Sequence, residues 1–344
     1  LSVGNKHLRY GSNVSDTLTH NDGDKIYRQH SANFPFSITV SGPGPTALAL
    51  KDLPGQLPLA LLLSLLLGYI AWLATANRMS FTWEINLGLA AREFELFCQP
   101  LMNARNQECV GVEILLRWNN PRQGWISPDV FIPLAEEHNL IIPLTRYVIT
   151  ETVRQLTVFP ADPGFHIGIN VAASHFRHGV LLRDLNHHWF NARPVQQLII
   201  ELTERDALLD VDCRLVRELH RKEVKLAIDD FGTGNCSLSW LEKLHPDVLK
   251  IDKSFTAAIG TDAVNSTVTD IIIALAQRLN IELVAEGVET PEQARHLRQR
   301  GVHILQGYFY ARPMPLRDFP EWLAGSSPPP APHNGQIMPA MPLH

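Results

Sequence analysis

The sequence predicts an α/β protein, a (β/α)8 TIM-like barrel over residues 82–325, preceded by a transmembrane helix. Three observations lead there. Short β-rich runs recur eight times within about 240 residues, with helical patterns between most of them. Ahead of them lies a run of about 20 residues without a charge. Close to the C-terminal end of successive β-rich runs stands a carboxylate, an amide or an amine.

Residues 1–56 are polar and include the Gly/Pro-rich Ser41-Gly42-Pro43-Gly44-Pro45. A short apolar alternation over Phe34–Val40 is expected to form a strand. So small a segment does not bury a full core alone. It is expected to be the C-terminal remnant of an extracytoplasmic sensor domain, in a chain that starts at Leu1 as a fragment of a longer protein would. Leu57–Ala76, LPLALLLSLLLGYIAWLATA, is the core of the expected membrane helix over residues 57–77. At 1.5 Å per residue it matches a hydrocarbon core of about 30 Å. Tyr69 and Trp72 fall near its end, where an interfacial aromatic belt sits. Arg78 and Arg92 follow it, so the positive-inside rule puts residues 1–56 outside and 79–344 in the cytoplasm.

The barrel strands are expected at Glu95–Leu101, Val110–Trp118, Phe165–Val171, Gln197–Leu202, Val224–Ile228, Val248–Ile251, Ile281–Val284 and Val302–Leu305. Pro133–Leu156 and Asn265–Leu279 carry the clearest helical spacing. An open doubly wound sheet shows the same alternation, but eight strands in this length favour closure. Residues 326–344 are Pro-rich and aperiodic, and are expected to be a disordered tail.

Composition narrows the function. The 344 residues are 45% hydrophobic and 19% charged, with net charge −5. That balance is ordinary for a globular chain and argues against a binder of DNA or RNA polymers, which would be basic. Cys98, Cys109, Cys213 and Cys236 make no CxxC pair and no disulfide framework, so a reducing compartment is expected for them. His175 with His178, and His187 with His188, lack a metalloprotease spacing and are read as structural. Arg214, Arg217, Arg221 and Lys222 follow helical spacing and read as a solvated face.

Glu113 lies in the second run, and Asn170, Glu201 and Asp229-Asp230 end the third, fourth and fifth. Lys250 lies in the sixth, while Glu286 and Gln306 follow the seventh and eighth. In a β/α barrel the C-terminal edge is the active-site face. Hard oxygen ligands there suit Mg2+ or Mn2+ rather than zinc. Glu113, Glu201, Asp229, Asp230 and Glu286 sum to −5 when ionised. Two divalent ions and Lys250 bring that to zero, and such ions sit about 3.5–4 Å apart around a bridging carboxylate. Asp229 is expected to close its strand and bridge the ions. Asp230 is expected to belong already to the turn that Gly232 and Gly234 allow.

These residues resemble the EAL-domain phosphodiesterases, which hydrolyse cyclic di-GMP to linear pGpG. The resemblance covers residues 82–325 and rests on motifs in one order. They are Gln99-Pro100, Glu113-Ile114-Leu115 with Leu116-Arg117-Trp118, Ile169-Asn170-Val171, Glu201-Leu202-Thr203-Glu204 and Asp229-Asp230-Phe231-Gly232-Thr233-Gly234. Lys250-Ile251-Asp252, Ala285-Glu286-Gly287-Val288-Glu289 and Gln306-Gly307-Tyr308 follow. The resemblance implies a first metal on Glu113, Asn170, Glu201 and Asp229, and a second reached by Asp229 and Asp230. It implies that Lys250 and Glu286 position or deprotonate the attacking water, and that Glu204 supports the loop after Asp230. Gln99, Arg117 and Gln306 would contact cyclic di-GMP. It further implies a homodimer through this domain, with the chain in a bacterial inner membrane.

Two places depart from the family. Ile114 stands where the family has Ala, and Asn235-Cys236 follow the glycines where an aromatic or hydroxyl residue and a Ser are usual. Cys236 is read as a small packing residue. A sensor segment before a membrane helix resembles the CSS-motif subgroup, although its Cys-Ser-Ser signature is absent here. The alternative is a catalytically weak EAL module that senses cyclic di-GMP by binding it. A glycoside hydrolase with paired carboxylates leaves Asn170 and Lys250 without a role.

Overall fold

The structure is a computed structural model that describes residues 2–3, 6–7, 24–32, 36–43, 45–208, 211–234, 238–260 and 264–326. Asn235, Cys236 and nearly all of the expected tail, from residue 327 on, lie outside the described residues. The chain divides into two units, residues 1–80 and 81–344.

In the first unit the alternation expected over Phe34–Val40 is a strand, Phe36–Pro43. It pairs antiparallel with Asp24–His30, from Asp24 opposite Pro43 to His30 opposite Ser37. Ser2–Val3 and Lys6–His7 complete a four-stranded sheet. The apolar run expected as a helix is helical, within Pro45–Ala91. Its described side chains, residues 57–72, are all exposed. Among the described residues no helix is long and apolar enough to cross a membrane.

The second unit is a closed barrel of eight strands. They are β1 Phe94–Asn103, β2 Cys109–Asn120, β3 His166–Asn170, β4 Gln197–Thr203, β5 Lys225–Phe231, β6 Val248–Ile251, β7 Glu282–Ala285 and β8 Ile304–Leu305. Each falls on an expected run. From β2 to β8 neighbours pair parallel. β1 closes the barrel and runs antiparallel to both β2 and β8. This departs from a regular strand–helix repeat, and the cause is the link between β1 and β2. Residues 104–108 are too few for a parallel crossover, which takes a dozen or more residues, so the pair folds as a hairpin. One consequence is functional: β1 brings Gln99 opposite Glu113.

The helical pattern over Pro133–Leu156 becomes two helices, Pro128–Glu137 and Ile141–Arg154. Asn139 between them adopts φ 56°, a left-handed turn that Asn tolerates better than most residues. The expected Asn265–Leu279 helix runs Val264–Leu279. Inside the barrel, Leu101, Ile199, Ala227, Val248, Val284 and Ile304 form an apolar floor. A larger cluster, with Leu96, Ile114, Ile169, Leu202, Ile228 and Ile251, fills the space between strands and helices. Alternation along each strand therefore fixes what lies above the floor. The next inward residues after Leu101, Ile199, Ala227, Val248, Val284 and Ile304 are Gln99, Glu201, Asp229, Lys250, Glu286 and Gln306.

Candidate active site

That polar layer is tightly connected. Lys250 is 2% exposed and its Nζ lies 2.6 Å from Glu201 Oε2, 2.6 Å from Glu286 Oε1, 3.3 Å from Asp229 Oδ2 and 3.5 Å from Glu113 Oε2. Asn170 Nδ2 donates to Glu113 Oε1 at 2.7 Å, and Gln306 Nε2 donates to Glu113 Oε2 at 2.8 Å. Gln306 Nε2 also reaches Gln99 Oε1 at 3.1 Å, and Gln99 Nε2 donates to the Ala311 carbonyl at 3.1 Å. The structure brings eight of the candidates read from the sequence, Gln99, Glu113, Asn170, Glu201, Asp229, Lys250, Glu286 and Gln306, into this one network.

The adjacent aspartates turn on a bulge. Ile228 pairs with Leu249 and Phe231 with Ile251, so Asp229 and Asp230 together oppose the single residue Lys250. Asp230 has φ 54°, a left-handed backbone that costs about 1–3 kcal/mol in a non-glycine residue. The strand thus does not close at Asp229 as expected, but continues through Phe231. The extra residue breaks the alternation that would aim the two acids to opposite faces. The Asp230 N–H donates to Asp229 Oδ1 at 2.9 Å, which helps orient that carboxylate.

Glu204 and Arg117 stand outside the network. Glu204 is buried, and its Oε2 accepts the N–H groups of Gly232 at 2.8 Å and Gly234 at 3.0 Å. It therefore grips the turn that follows the bulge. Arg117 lies at the rim, with Nη1 donating to the Leu116 carbonyl and Cζ 5.7 Å from the centroid of the Phe97 ring.

Sequence reasoning missed Gly168. A Cβ there would stand 2.1 Å from Glu201 Oε1, so the carboxylate in this position takes the space that any side chain at 168 would need. A glycine inside an otherwise β-branched run, Ile167-Gly168-Ile169, was the available signal for such a close approach.

The electrostatics follow from burial and crowding. Burial, with Glu113 and Asp229 adding to it, pushes Glu201 up to about 8 despite Lys250. Burial likewise pushes Asp230 up to about 6, with Asp229 and Asp252 adding to it. Glu286 is also driven well up by burial. For Glu113 burial acts upward too, but Lys250, Gln306 and Asn170 outweigh it and hold the carboxyl low. Burial disfavours charge on Lys250, yet Asp229, Glu113, Glu201 and Glu286 raise it well above an ordinary lysine. One ammonium serves five carboxylates, and the layer is short of positive charge.

Two acidic triads could hold cations that supply it. Glu113, Glu201 and Asp229 offer oxygens within 4.8 Å of one another, and so do Asp229, Asp230 and Glu286. Asp229 is common to both. The carbonyl-type oxygen Gln306 Oε1 is buried without a hydrogen-bond partner among the described residues. An all-oxygen donor set with a shared carboxylate fits a pair of hard divalent cations.

The EAL domain family matches residues 84–313. The chain belongs to the EAL domain family. Across its whole length the chain is 74% identical to a probable cyclic di-GMP phosphodiesterase of Escherichia coli K12, PdeD, and spans 64% of that protein. It is 38% identical to the cyclic di-GMP phosphodiesterase PdeL of the same organism, over 70% of this chain and 68% of PdeL. The PaMucR phosphodiesterase in its c-di-GMP complex is 34% identical and superposes with a TM-score of 0.65, covering 70% of this chain and 99% of that one. The polar layer described above lies wholly within the EAL domain.

Proposed function

We propose that the EAL domain hydrolyses cyclic di-GMP to linear pGpG at a centre of two divalent cations, Mg2+ or Mn2+. The observation that carries this is the pair of acidic triads sharing Asp229, with Lys250 between them. Glu113, Asn170, Glu201 and Asp229 would hold one cation, and Asp229 and Asp230 the other, with Glu286 in reach. When bound, such cations polarise a phosphoryl oxygen and make water acidic. Glu286, whose carboxyl burial drives well up and whose Oε1 lies 2.6 Å from Lys250 Nζ, would take the proton of the attacking water. The water oxygen bonds to phosphorus, the P–O bond to one ribose 3′ oxygen breaks with its electron pair going to that oxygen, and the oxygen becomes a hydroxyl by taking up the proton that Glu286 removed, directly or through solvent. Lys250, held charged by its acids, faces the negative charge that develops on the phosphoryl group. Gln99 and Gln306, linked to each other and to Glu113, hold the substrate, and Arg117 meets a phosphate through its planar fork. Glu204 keeps the turn after Asp230 in place.

The wider assembly is part of the same proposal. Leu59, Leu62, Leu65, Leu67 and Trp72 are more than half exposed, an apolar surface that a lipid bilayer would cover. We place residues 57–77 in a bacterial inner membrane, with residues 1–56 outside as part of a CSS-type sensor and the barrel in the cytoplasm as a homodimer. Control from outside would pass along the helix Pro45–Ala91. Its last turns belong to the barrel unit, where Ile85 is fully buried against a cluster with Phe94, Trp118 and Phe131.

The test is direct. The full chain, incubated with cyclic di-GMP and Mg2+, should release pGpG and should stop when EDTA is added. Binding without any product would instead support a sensor.

A further inference from the structure

Trp125 is a large apolar side chain with 57% of its surface exposed, and it takes no part in the cation centre. It sits on the short strand Gly124–Ile126, which folds back on β2 with Trp125 opposite Asn119. The hairpin is braced at its turn. Asn120 Oδ1 accepts the N–H groups of Arg122 at 3.0 Å and Gln123 at 3.1 Å. Asn120 Nδ2 and Trp118 Nε1 both donate to Glu93 Oε2. Trp125 is therefore held out on a fixed frame.

Its ring meets Phe97 edge-on, with centroids 5.8 Å apart and planes at 80°. Phe97 shares the inward register of β1. It lies two residues beyond Gln99 toward the mouth and opposite Leu115, as Gln99 lies opposite Glu113. The Arg117 guanidinium reaches the same Phe97 ring. An aromatic corner with an arginine beside it thus stands on the β1–β2 side, its Phe97 one inward position beyond Gln99.

We propose that Trp125 and Phe97 form a stacking wall for one guanine of cyclic di-GMP, with Arg117 placed to meet the adjoining phosphate. The proposal rests on the phosphodiesterase reading above. A guanine has a flat face that stacks on an aromatic ring and is next to a negative phosphate, so it matches both halves of the corner. Trp125 supplies affinity and orientation, and no proton transfer depends on it.

The test compares Trp125→Ala and Trp125→Phe with the unchanged full chain. Binding of cyclic di-GMP is measured by titration calorimetry in Ca2+, and KM and kcat are measured in Mg2+. Trp125→Ala should raise Kd and KM about tenfold with kcat changed by less than about twofold, the size of one lost base stack. Trp125→Phe keeps a ring and should recover most of the loss. Binding by Trp125→Ala equal to that of the unchanged chain would overturn the wall. So would a change in oligomeric state with no change in affinity, which would make Trp125 a seat for a second copy. A chain that binds but does not cleave would refute the phosphodiesterase reading, and its binding data would still decide the wall. A chain that neither binds nor cleaves would refute both.

Discussion

Lys250→Met is the most informative single change. The substitution keeps an unbranched side chain of similar length and removes the charge. In the structure that charge lies within 3.5 Å of Glu113, Glu201, Asp229 and Glu286, in a pocket where Lys250 is 2% exposed. Removing one partner of a buried ion cluster leaves the others uncompensated and costs about 3–5 kcal/mol. For a domain of 150–250 residues each kcal/mol moves Tm by about 2–4 °C, so Tm in EDTA should fall by roughly 6–20 °C. Divalent cations should then matter more, because a ligand of the folded state stabilises it in proportion to its affinity. With Lys250 gone, one repelling charge has left the cation site while all five acids remain. The rise in Tm on adding Mg2+ or Mn2+ should therefore be larger in Lys250→Met than in the unchanged chain, while hydrolysis is lost. Thermal denaturation of the full chain in EDTA and in each cation measures both effects. A Tm in EDTA within about 2 °C of the unchanged chain, less than 1 kcal/mol by the same conversion, would refute the reasoning. So would a cation response no larger than before.

Other expectations follow from the same geometry. Gly168→Ala should displace the Glu201 carboxylate and weaken cation affinity roughly 10–100-fold, as loss of a supporting contact does, with cation titration of activity as the measure. Cys98 and Cys109, pushed up to about 12 and about 11 by burial, should resist a thiol reagent at pH 8 in the native chain and react after unfolding; labelling of either in the native state, read by mass spectrometry, would contradict this. Burial lowers the His175 imidazole despite Asp184 beside it. As pH falls below the ordinary value of 6.5, the unfolded chain takes up a proton that folded His175 refuses. Stability should thus be full above that value and decline below it. Denaturant titrations from pH 7.5 to 5 should show a shallower decline in His175→Gln, and an unchanged slope would count against the assignment.

Much of the fold could be read because strand and helix periods differ. The alternation that buries Ile199 and Ile228 on opposite faces also carries Glu201 and Asp229 to the mouth, so locating the strands located most of the site. The hairpin of β1 and β2 was harder, since the alternation within each strand is the same whichever way its neighbour runs. Only the short link at residues 104–108 held that information. The bulge at Asp229-Asp230 was hidden for another reason. Two acids at a strand end are equally compatible with a strand that stops and with one that doubles back on itself, and the pairing with β6 decides between them. Gly168 needed its neighbour across the sheet, because its purpose is the space it leaves for Glu201. The break at Asn139 is a local preference too weak to see inside a long apolar periodicity.

The central claim is a two-cation centre joined by Asp229. Crystals of the full chain soaked in Mn2+ and measured at the manganese absorption edge would test it most directly. Two anomalous peaks are expected, about 3.5–4 Å apart, both in ligand contact with Asp229. One should also touch Glu113, Asn170 and Glu201, and the other Asp230. A single peak, or two that do not share Asp229, would contradict the account.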